Sequence, residues 1–388
     1  MNDELFQAFK QRILSRECFN VASGQALVMA DLFEQSGEPQ LAATALDRAW
    51  GLCPENESLT QRRRVLLDSL AVLEQGMVFR YIPAGHFLMG SESGELDEQP
   101  VHAASTSGYW ISDIPVTWAA YCDLMGWKPP PHGYPELEEK DRMKGFQLHN
   151  ENKIRVQYCE TETVQARNWH AHIPDMQWKS GDGKVTTSEE MFGVVPREKP
   201  QRPLEYNQKP MVAVAYQDAE ILCDRISSDS VRYCLPTEAQ WEKAARGGLI
   251  GRPYCWGDAR PSEHTCDFGH FGDFRIRPPR SLPPNGYGLF GMCGGVWEWT
   301  AAPYDSLAYE PTAESRRKDA TLHARAVRGG SWADCAEAVT VSFRMSLDSL
   351  SWTQRNSEDR SQWERIKHFS PNIGFRICRI VCDDERRA

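Results

Sequence analysis

The sequence predicts an α+β protein in which a small helical region precedes a larger domain that is low in regular secondary structure. Two observations lead to this prediction: helical spacing of apolar residues up to position 76, and a change to short alternating segments after it. The composition supports it, because 13 Trp, 28 Gly and 24 Pro are typical of a loop-rich fold held by buried indoles. A chain of 388 residues is long enough for one large domain and a small one.

Residues 1–76 have the apolar spacing of helices. The turn SGEP separates two helices, and CPENES ends the second of them before a third begins. Small apolar residues recur at i, i+3, i+4 and i+7 along the second helix: Ala42, Ala45, Leu46 and Ala49. We interpret this region as a tetratricopeptide-like hairpin, with a plain helical extension packed on the larger domain as the alternative. One repeat cannot bury both faces, so it should cover another surface, either the rest of this chain or a partner.

Residues 77–388 have the pattern of short strands, turns and a few helices. The clearest helix begins after Thr237, which forms a capping box with Gln240, and it ends at Gly247. Residues 128–205 are the least regular, and we predict an irregular insertion there.

Charge and targeting signals restrict the partners and the compartment. The formal net charge of -10 argues against binding to nucleic acid or to an anionic membrane. No signal peptide and no apolar run of about 20 residues is visible in the sequence. The 12 cysteines form no C-x-x-C pair, and without an export signal we expect reduced thiols and a cytoplasmic, bacterial protein.

Six stretches follow one another in a recognisable order along residues 77–381. They are MVFRYIPAGHFLMGS (77–91), YCLPTEAQWEKAARGG (233–248), PYCWGD (253–258), PPNGYGLFGMCGGVWEWT (283–300), VRGGSW (327–332) and NIGFR (372–376). Together they resemble the formylglycine-generating-enzyme-like, or sulfatase-modifying-factor, family. The resemblance implies an irregular α+β domain related to C-type lectin folds.

Buried charges are expected within these motifs. Glu298 lies between two tryptophans, and burying it requires an arginine, a cluster of backbone amides or a cation. Arg344 and Arg376 each follow a phenylalanine, and we predict that both pair with buried carboxylates.

The chemistry of the family requires residues that this chain lacks. In formylglycine-generating enzymes, two cysteines after the GGS-aromatic turn bind copper and activate oxygen, and two thiolates suit Cu(I). Here Cys335 is present, but Ala338, Val339 and Thr340 occupy the place of the second thiol, so formylglycine-generating oxidase activity is not expected. The iron-dependent sulfoxide synthases of the wider family take iron from three histidines on a helical N-terminal domain. No histidine precedes His86 in this sequence.

Other metal ligands are candidates only. The family's GNVWEW motif has glycine at position 295 in place of the asparagine ligand, which leaves Glu298 as a candidate calcium ligand. His170 and His172 lie two residues apart near Asp175, and two imidazoles with a carboxylate form a ligand set that suits iron or copper. No cofactor is firmly expected.

A ligand-binding groove is expected beside the variable segment 345–371. This segment mixes aromatic and arginine side chains, the residue types that binding surfaces use. A solvated insertion loop is the alternative interpretation. The candidate groove residues are Trp332, Cys335, Arg344, Trp352, Arg355 and Trp363.

The sequence therefore favours a non-catalytic module that recognises a protein or peptide, in an immunity, ligand-binding or scaffold role. The alternative is a divergent non-haem iron or copper-dependent oxidoreductase that acts on a peptide or an amino-acid-derived substrate.

Overall fold

The computed structural model of the chain describes residues 16–125, 177–179, 185–187, 208–212, 214, 216–269, 276–309, 324–348 and 372–382. Most of the predicted insertion and most of the variable segment therefore lie outside the described residues. None of the described helices is both long and apolar enough to cross a membrane.

Three helices open the described chain, with the turns where the sequence predicts them. Gly37 occupies the first turn with φ +75°, and Pro39 begins the second helix, where its missing N–H is not needed. Asn56 caps the third helix by accepting a hydrogen bond from the Leu59 amide at 3.0 Å. The helices are α1 (Arg16–Gln35), α2 (Pro39–Leu52) and α3 (Glu57–Ser69).

The helical region covers the rest of this chain, which is one of the two predicted alternatives. Arg63 of α3 is buried and pairs with Asp47 of α2 at 2.6 Å. Its guanidinium lies over the rings of Trp50 and Tyr287, 4.3 and 4.8 Å from their centroids. It also donates to the carbonyl oxygen of Gly286 at 2.6 Å. One side chain thus joins both helices to the larger domain.

The first sheet of the larger domain is antiparallel and has five strands. They are β1 (Val72–Glu74), β2 (Met77–Ile82), β5 (Tyr109–Ser112), β8 (Val231–Cys234) and β13 (Cys378–Val381). Their order in the sheet is β1-β2-β5-β13-β8. Strand β2 alternates as predicted, with Phe79 and Tyr81 buried.

The second sheet has four strands: β9 (Trp297–Pro303), β10 (Ala324–Arg328), β11 (Arg344–Asp348) and β12 (Ile373–Gly374). Their order in the sheet is β11-β10-β9-β12, and β12 is parallel to β9. Two short antiparallel ribbons complete the described strands: β3 (Gly85–Met89) with β4 (His102–Thr106), and β6 (Gln177–Lys179) with β7 (Val185–Thr187).

Three further helices and two single 3-10 turns are described in this domain. The helices are α4 (Trp118–Met125), α5 (Tyr216–Ile226) and α6 (Glu238–Arg246), and the 3-10 turns are Leu96–Glu98 and Pro279–Ser281. The core contains the fully buried indoles of Trp241, Trp297 and Trp332. This mixture of short strands and helices agrees with the predicted α+β class.

The capping box of α6 is confirmed. The Thr237 hydroxyl accepts from the Gln240 amide at 3.2 Å, and the Gln240 side chain accepts from the Thr237 amide at 2.9 Å. Gly247 ends the helix in the left-handed conformation with φ +62°. The helix is therefore fixed at both ends before its side chains reach the core.

Replacing Thr237 with alanine should lower the free energy of unfolding by about 1 kcal/mol, because the first turn of α6 loses its cap. Thr237 is exposed, so the change removes no core packing. Urea denaturation measures the difference, and Thr237→Ser serves as the control because it keeps the hydroxyl. An alanine variant as stable as the serine variant would show that the cap contributes nothing.

Candidate functional site

Helix α6 carries charged side chains into the interior between β3–β4 and the four-stranded sheet. The completely buried Glu242 accepts from Arg246 at 2.6 Å and from the Gly90 amide at 2.8 Å, and it also pairs with Arg328. Burial alone would raise the pKa of the Glu242 carboxyl. The charges of Arg246 and Arg328 outweigh it and hold that pKa below its ordinary value. Glu242 is therefore a charged anchor of the fold.

The Glu298 carboxylate forms the second buried ion pair. Nε and Nη2 of the Arg376 guanidinium donate to it at 2.7 and 2.9 Å, and the Trp241 indole N–H donates at 2.7 Å. This arrangement confirms that Arg376 pairs with a buried carboxylate and that an arginine compensates Glu298. The bidentate geometry is the one that arginine makes best.

Arg344 forms the third buried ion pair, with Glu238 at the start of α6. The distances are 2.7 and 2.8 Å, and the same guanidinium donates to the carbonyl oxygen of Asp97 at 2.8 Å. Although burial opposes the charge, the hydrogen bonds and the charge of Glu238 raise the pKa of Arg344 above its ordinary value. The pairing predicted for Arg344 is thus confirmed.

The turn at Gly329 and Gly330 directs the following loop back against the core. Both glycines have positive φ, at +98° and +67°. A Cβ on Gly330 would lie 2.6 Å from the carbonyl oxygen of Ala338 and 2.7 Å from a Val339 methyl, so no side chain fits there. The loop from Ser331 to Val341 therefore closes onto this turn.

Hydrogen bonds at its start fix the shape of that loop. The Asp334 carboxylate accepts from the Ser331 amide at 2.9 Å, and burial raises the pKa of that carboxyl. The Trp332 amide donates to the carbonyl oxygen of Gly295 at 2.9 Å. The loop is thereby joined to the turn that precedes β9.

A small cleft lies on the other side of that turn. Its charged groups are Asp267 and Arg277, with 3.6 Å between Asp267 Oδ1 and Arg277 Nε. Asp267 is buried, whereas about a third of the Arg277 side chain is exposed. The remaining lining is mostly apolar or backbone: Pro115, Pro210, Pro278, Pro279, Leu282, Gly291, Cys293, Gly294, Gly295 and Val296. The cleft thus offers a mainly apolar surface beside one ion pair.

Comparison with known families identifies this architecture. A model of the sulfatase-modifying factor enzyme 1-like domain matches residues 69–381. The chain belongs to this family.

Curated members of the sulfatase-modifying-factor family include both active enzymes and an inactive one. The chain is 28% identical over 270 residues to the inactive C-alpha-formylglycine-generating enzyme 2 of Mus musculus, covering 66% of this chain and 75% of that protein. It is 27% identical over 316 residues to the formylglycine-generating enzyme of Streptomyces coelicolor, covering 76% and 87%. It is also 26% identical over 288 residues to the hercynine oxygenase of Mycolicibacterium smegmatis, covering 68% and 56%.

The residues present do not fit the copper site of the family's formylglycine-generating enzymes. Cys335 is exposed and is the single cysteine in the loop that follows Gly330. At the place of the second thiol, Ala338 and Val339 are buried apolar side chains packed against the glycine turn. A lone thiolate cannot provide the two sulfur ligands of a near-linear Cu(I) site.

The prediction of Glu298 as a calcium ligand disagrees with the structure. Both carboxylate oxygens are occupied by Arg376, and one of them also by Trp241, so the negative charge is already neutralised. Within the described residues, no group of three His, Cys, Asp or Glu side chains is arranged to hold a metal ion. His170 and His172 lie outside the described residues.

The six predicted groove residues do not form one surface among the described residues. Trp332 is completely buried because the glycine turn directs it inward, and Arg344 is buried against Glu238, so neither lines an open groove. Cys335 is exposed on the loop. The remaining three, Trp352, Arg355 and Trp363, lie outside the described residues.

The cleft itself was missed by reasoning from the sequence. Its prolines come from separate segments of the chain, around Pro115, Pro210 and the pair Pro278–Pro279. Only the adjacent prolines give a local signal, and a Pro-Pro pair alone predicts a stiff turn and no binding site.

Proposed function

We propose that this chain uses a sulfatase-modifying-factor domain without the copper thiol pair to bind a protein or peptide partner. The observation that carries the proposal is the loop after Gly330. Its only thiol, Cys335, is exposed, while buried Ala338 and Val339 stand where a second thiol would be needed. The similarity to the inactive mouse protein supports a role without formylglycine chemistry.

The cleft is the proposed contact for the partner. Its proline, leucine and valine side chains offer apolar contact to an extended peptide segment, and Arg277 supplies a partly exposed charge at one side. The net charge of -10 favours a partner of net positive charge, because complementary charges accelerate association.

The helical region offers a second proposed contact. Its inner side is occupied by the docking of Arg63 on the larger domain. Val28, Met29 and Leu32 of α1 are 60%, 49% and 56% exposed and form an outward apolar patch. A partner that spans the cleft and this patch would use both parts of the chain.

Binding should depend on the cleft. The experiment cross-links the full-length tagged chain in cells of its own organism, identifies the partner, and measures the Kd of the purified pair. Leu282→Arg, which places a charge in the cleft, should weaken binding at least tenfold, equivalent to about 1.4 kcal/mol. The matched control is Leu96→Arg, because Leu96 is 87% exposed and does not line the cleft. Equal Kd values for the two variants would reject the cleft as the binding site.

The chain should not generate formylglycine. A sulfatase-derived substrate peptide, incubated with the purified chain, Cu(I) and oxygen, is expected to keep its cysteine by mass spectrometry, since one thiolate holds Cu(I) poorly. The Streptomyces coelicolor enzyme serves as the positive control. Conversion of the peptide by this chain, with loss of that conversion in Cys335→Ser, would overturn the non-catalytic proposal.

The second candidate is a metal-dependent oxidoreductase, which the similarity to a hercynine oxygenase favours. Its iron or copper would be held by His170 and His172, with Cys335 as a third ligand. Elemental analysis together with oxygen consumption distinguishes the two candidates. Stoichiometric iron or copper that is lost in the double variant His170→Ala, His172→Ala would favour the oxidoreductase.

A further inference from the structure

Three cysteines converge beside the cleft, from segments that are distant in the sequence. Cys255 belongs to the turn Tyr254–Gly257, Cys266 precedes Asp267, and Cys293 precedes Gly294 and Gly295, which line the cleft. The Cys255 amide donates to the Cys293 sulfur at 3.4 Å. Cys255 and Cys293 are therefore neighbours, although 38 positions separate them.

The third thiol is held in a different way. The Cys266 thiol donates to the backbone carbonyl oxygen of Cys293 at 3.1 Å, and it is completely buried. It also lies against the backbone of the following turn, since a Cβ on Gly294 would be 2.6 Å from its sulfur. This close packing leaves Cys266 little room to move toward either neighbour.

The two residues of the pair differ in exposure. Cys255 is half-buried, whereas Cys293 is 3% exposed. Because Cys255 is the more exposed of the two residues, we expect a small molecule to react first at its sulfur. This is the arrangement of an attacking thiol and a resolving thiol.

We propose that Cys255 and Cys293 are a site of reversible oxidation, at which a low-molecular-weight disulfide converts the two thiols into one intramolecular disulfide bond. The deprotonated Cys255 sulfur attacks the small disulfide, forms a mixed disulfide and releases one small thiolate. The deprotonated Cys293 sulfur then attacks the Cys255 sulfur, forms the internal bond and releases the second small thiolate. Both protein sulfurs are oxidised, the small disulfide is reduced to two thiols, and the released thiolates take up the two protons.

The proposed bond would couple two structural parts of the candidate site. The turn that holds Cys255 contacts the loop after the glycine pair, because the Val341 amide donates to the carbonyl oxygen of Pro253 at 2.9 Å. The turn after Cys293 forms a wall of the cleft. A bond between the two cysteines would fix that loop and that wall relative to each other.

Conditions for the test follow from the environment of the thiols. The hydrogen bond to Cys293 and burial raise the pKa of the Cys255 thiol well above its usual range. Because the thiolate is the attacking species and the pKa of Cys255 is raised, the reaction is run in alkaline buffer at about pH 9, where more of the thiol is deprotonated than at neutral pH.

The experiment treats the reduced full-length chain with oxidised glutathione and maps its peptides without reduction. We expect a peptide linked through Cys255 and Cys293, loss of both free thiols, and recovery of both with dithiothreitol. Cys293→Ser should instead retain glutathione on Cys255. Hydrogen exchange in residues 253–257 and 291–296 should slow only in the oxidised wild-type protein.

The exposed Cys335 provides an internal control for the reagent. Modification of Cys335 by glutathione while Cys255 and Cys293 stay reduced would overturn the proposal. A bond from Cys266 to either neighbour in their place would overturn it as well. Because the mapping of wild-type protein decides these outcomes, the proposal does not depend on the folding of any variant.

Discussion

Replacing Arg376 with alanine should lower the free energy of unfolding by about 3–5 kcal/mol, because it leaves the buried carboxylate of Glu298 without its cation. Both side chains are completely buried. The Arg376 guanidinium also donates to the carbonyl oxygens of Ser112 and Phe290, each at 2.9 Å. The alanine variant would leave those two acceptors without this donor, which adds to the cost.

The effect should be specific to the buried pair. The Trp241 indole N–H remains on Glu298 in the variant, but a neutral donor cannot balance a buried charge. The matched control is Arg252→Ala, since Arg252 pairs with Asp258 on the surface, where the side chains are 49% and 60% exposed. That variant should lose less than about 1 kcal/mol. Denaturant unfolding followed by tryptophan fluorescence compares the two, and equal losses would contradict this account of the core.

The sequence predicts those elements whose ends are determined by contacts between residues close together in the chain. Thr237, Gln240 and Gly247 determine the ends of α6 through contacts within a few residues, so the sequence predicts that helix correctly. Sequence also indicated that the arginines after each phenylalanine pair with buried carboxylates. It could not assign the partners, because Arg376 and Glu298 lie 78 positions apart and Arg344 and Glu238 lie 106 apart.

In the candidate site too, the sequence predicts the features that depend on neighbouring residues and not those that depend on tertiary packing. The missing second thiol could be recognised because the loop after Gly330 is a continuous stretch whose residues can be compared directly with the family motif. Trp332 was placed among groove residues, although the adjacent glycine turn sends it into the core. The cleft and the neighbouring thiols Cys255 and Cys293 depend on tertiary packing of separate segments, and no periodicity or spacing encodes such contacts.

Replacing Arg63 with alanine should detach the helical region from the larger domain. Arg63 is 3% exposed, and its partner Asp47 also accepts from the Tyr287 hydroxyl at 2.9 Å. Loss of the ion pair, of the hydrogen bond to the Gly286 carbonyl, and of stacking on Trp50 and Tyr287 should cost about 2–4 kcal/mol. Hydrogen exchange should accelerate in residues 39–69 and remain unchanged in the five-stranded sheet.

The preceding residue provides the control that separates docking from helix stability. Arg62 lies on the same helix, but its side chain is 32% exposed and pairs with Asp31 and Glu34 within the helical region. Arg62→Ala should therefore cost less than about 1 kcal/mol and leave hydrogen exchange in α2 and α3 nearly unchanged. If Arg63→Ala changed exchange no more than Arg62→Ala does, Arg63 would not be the anchor. The apolar contacts of α2 and α3 would then hold the helical region on the larger domain, because apolar burial depends on no single charged side chain.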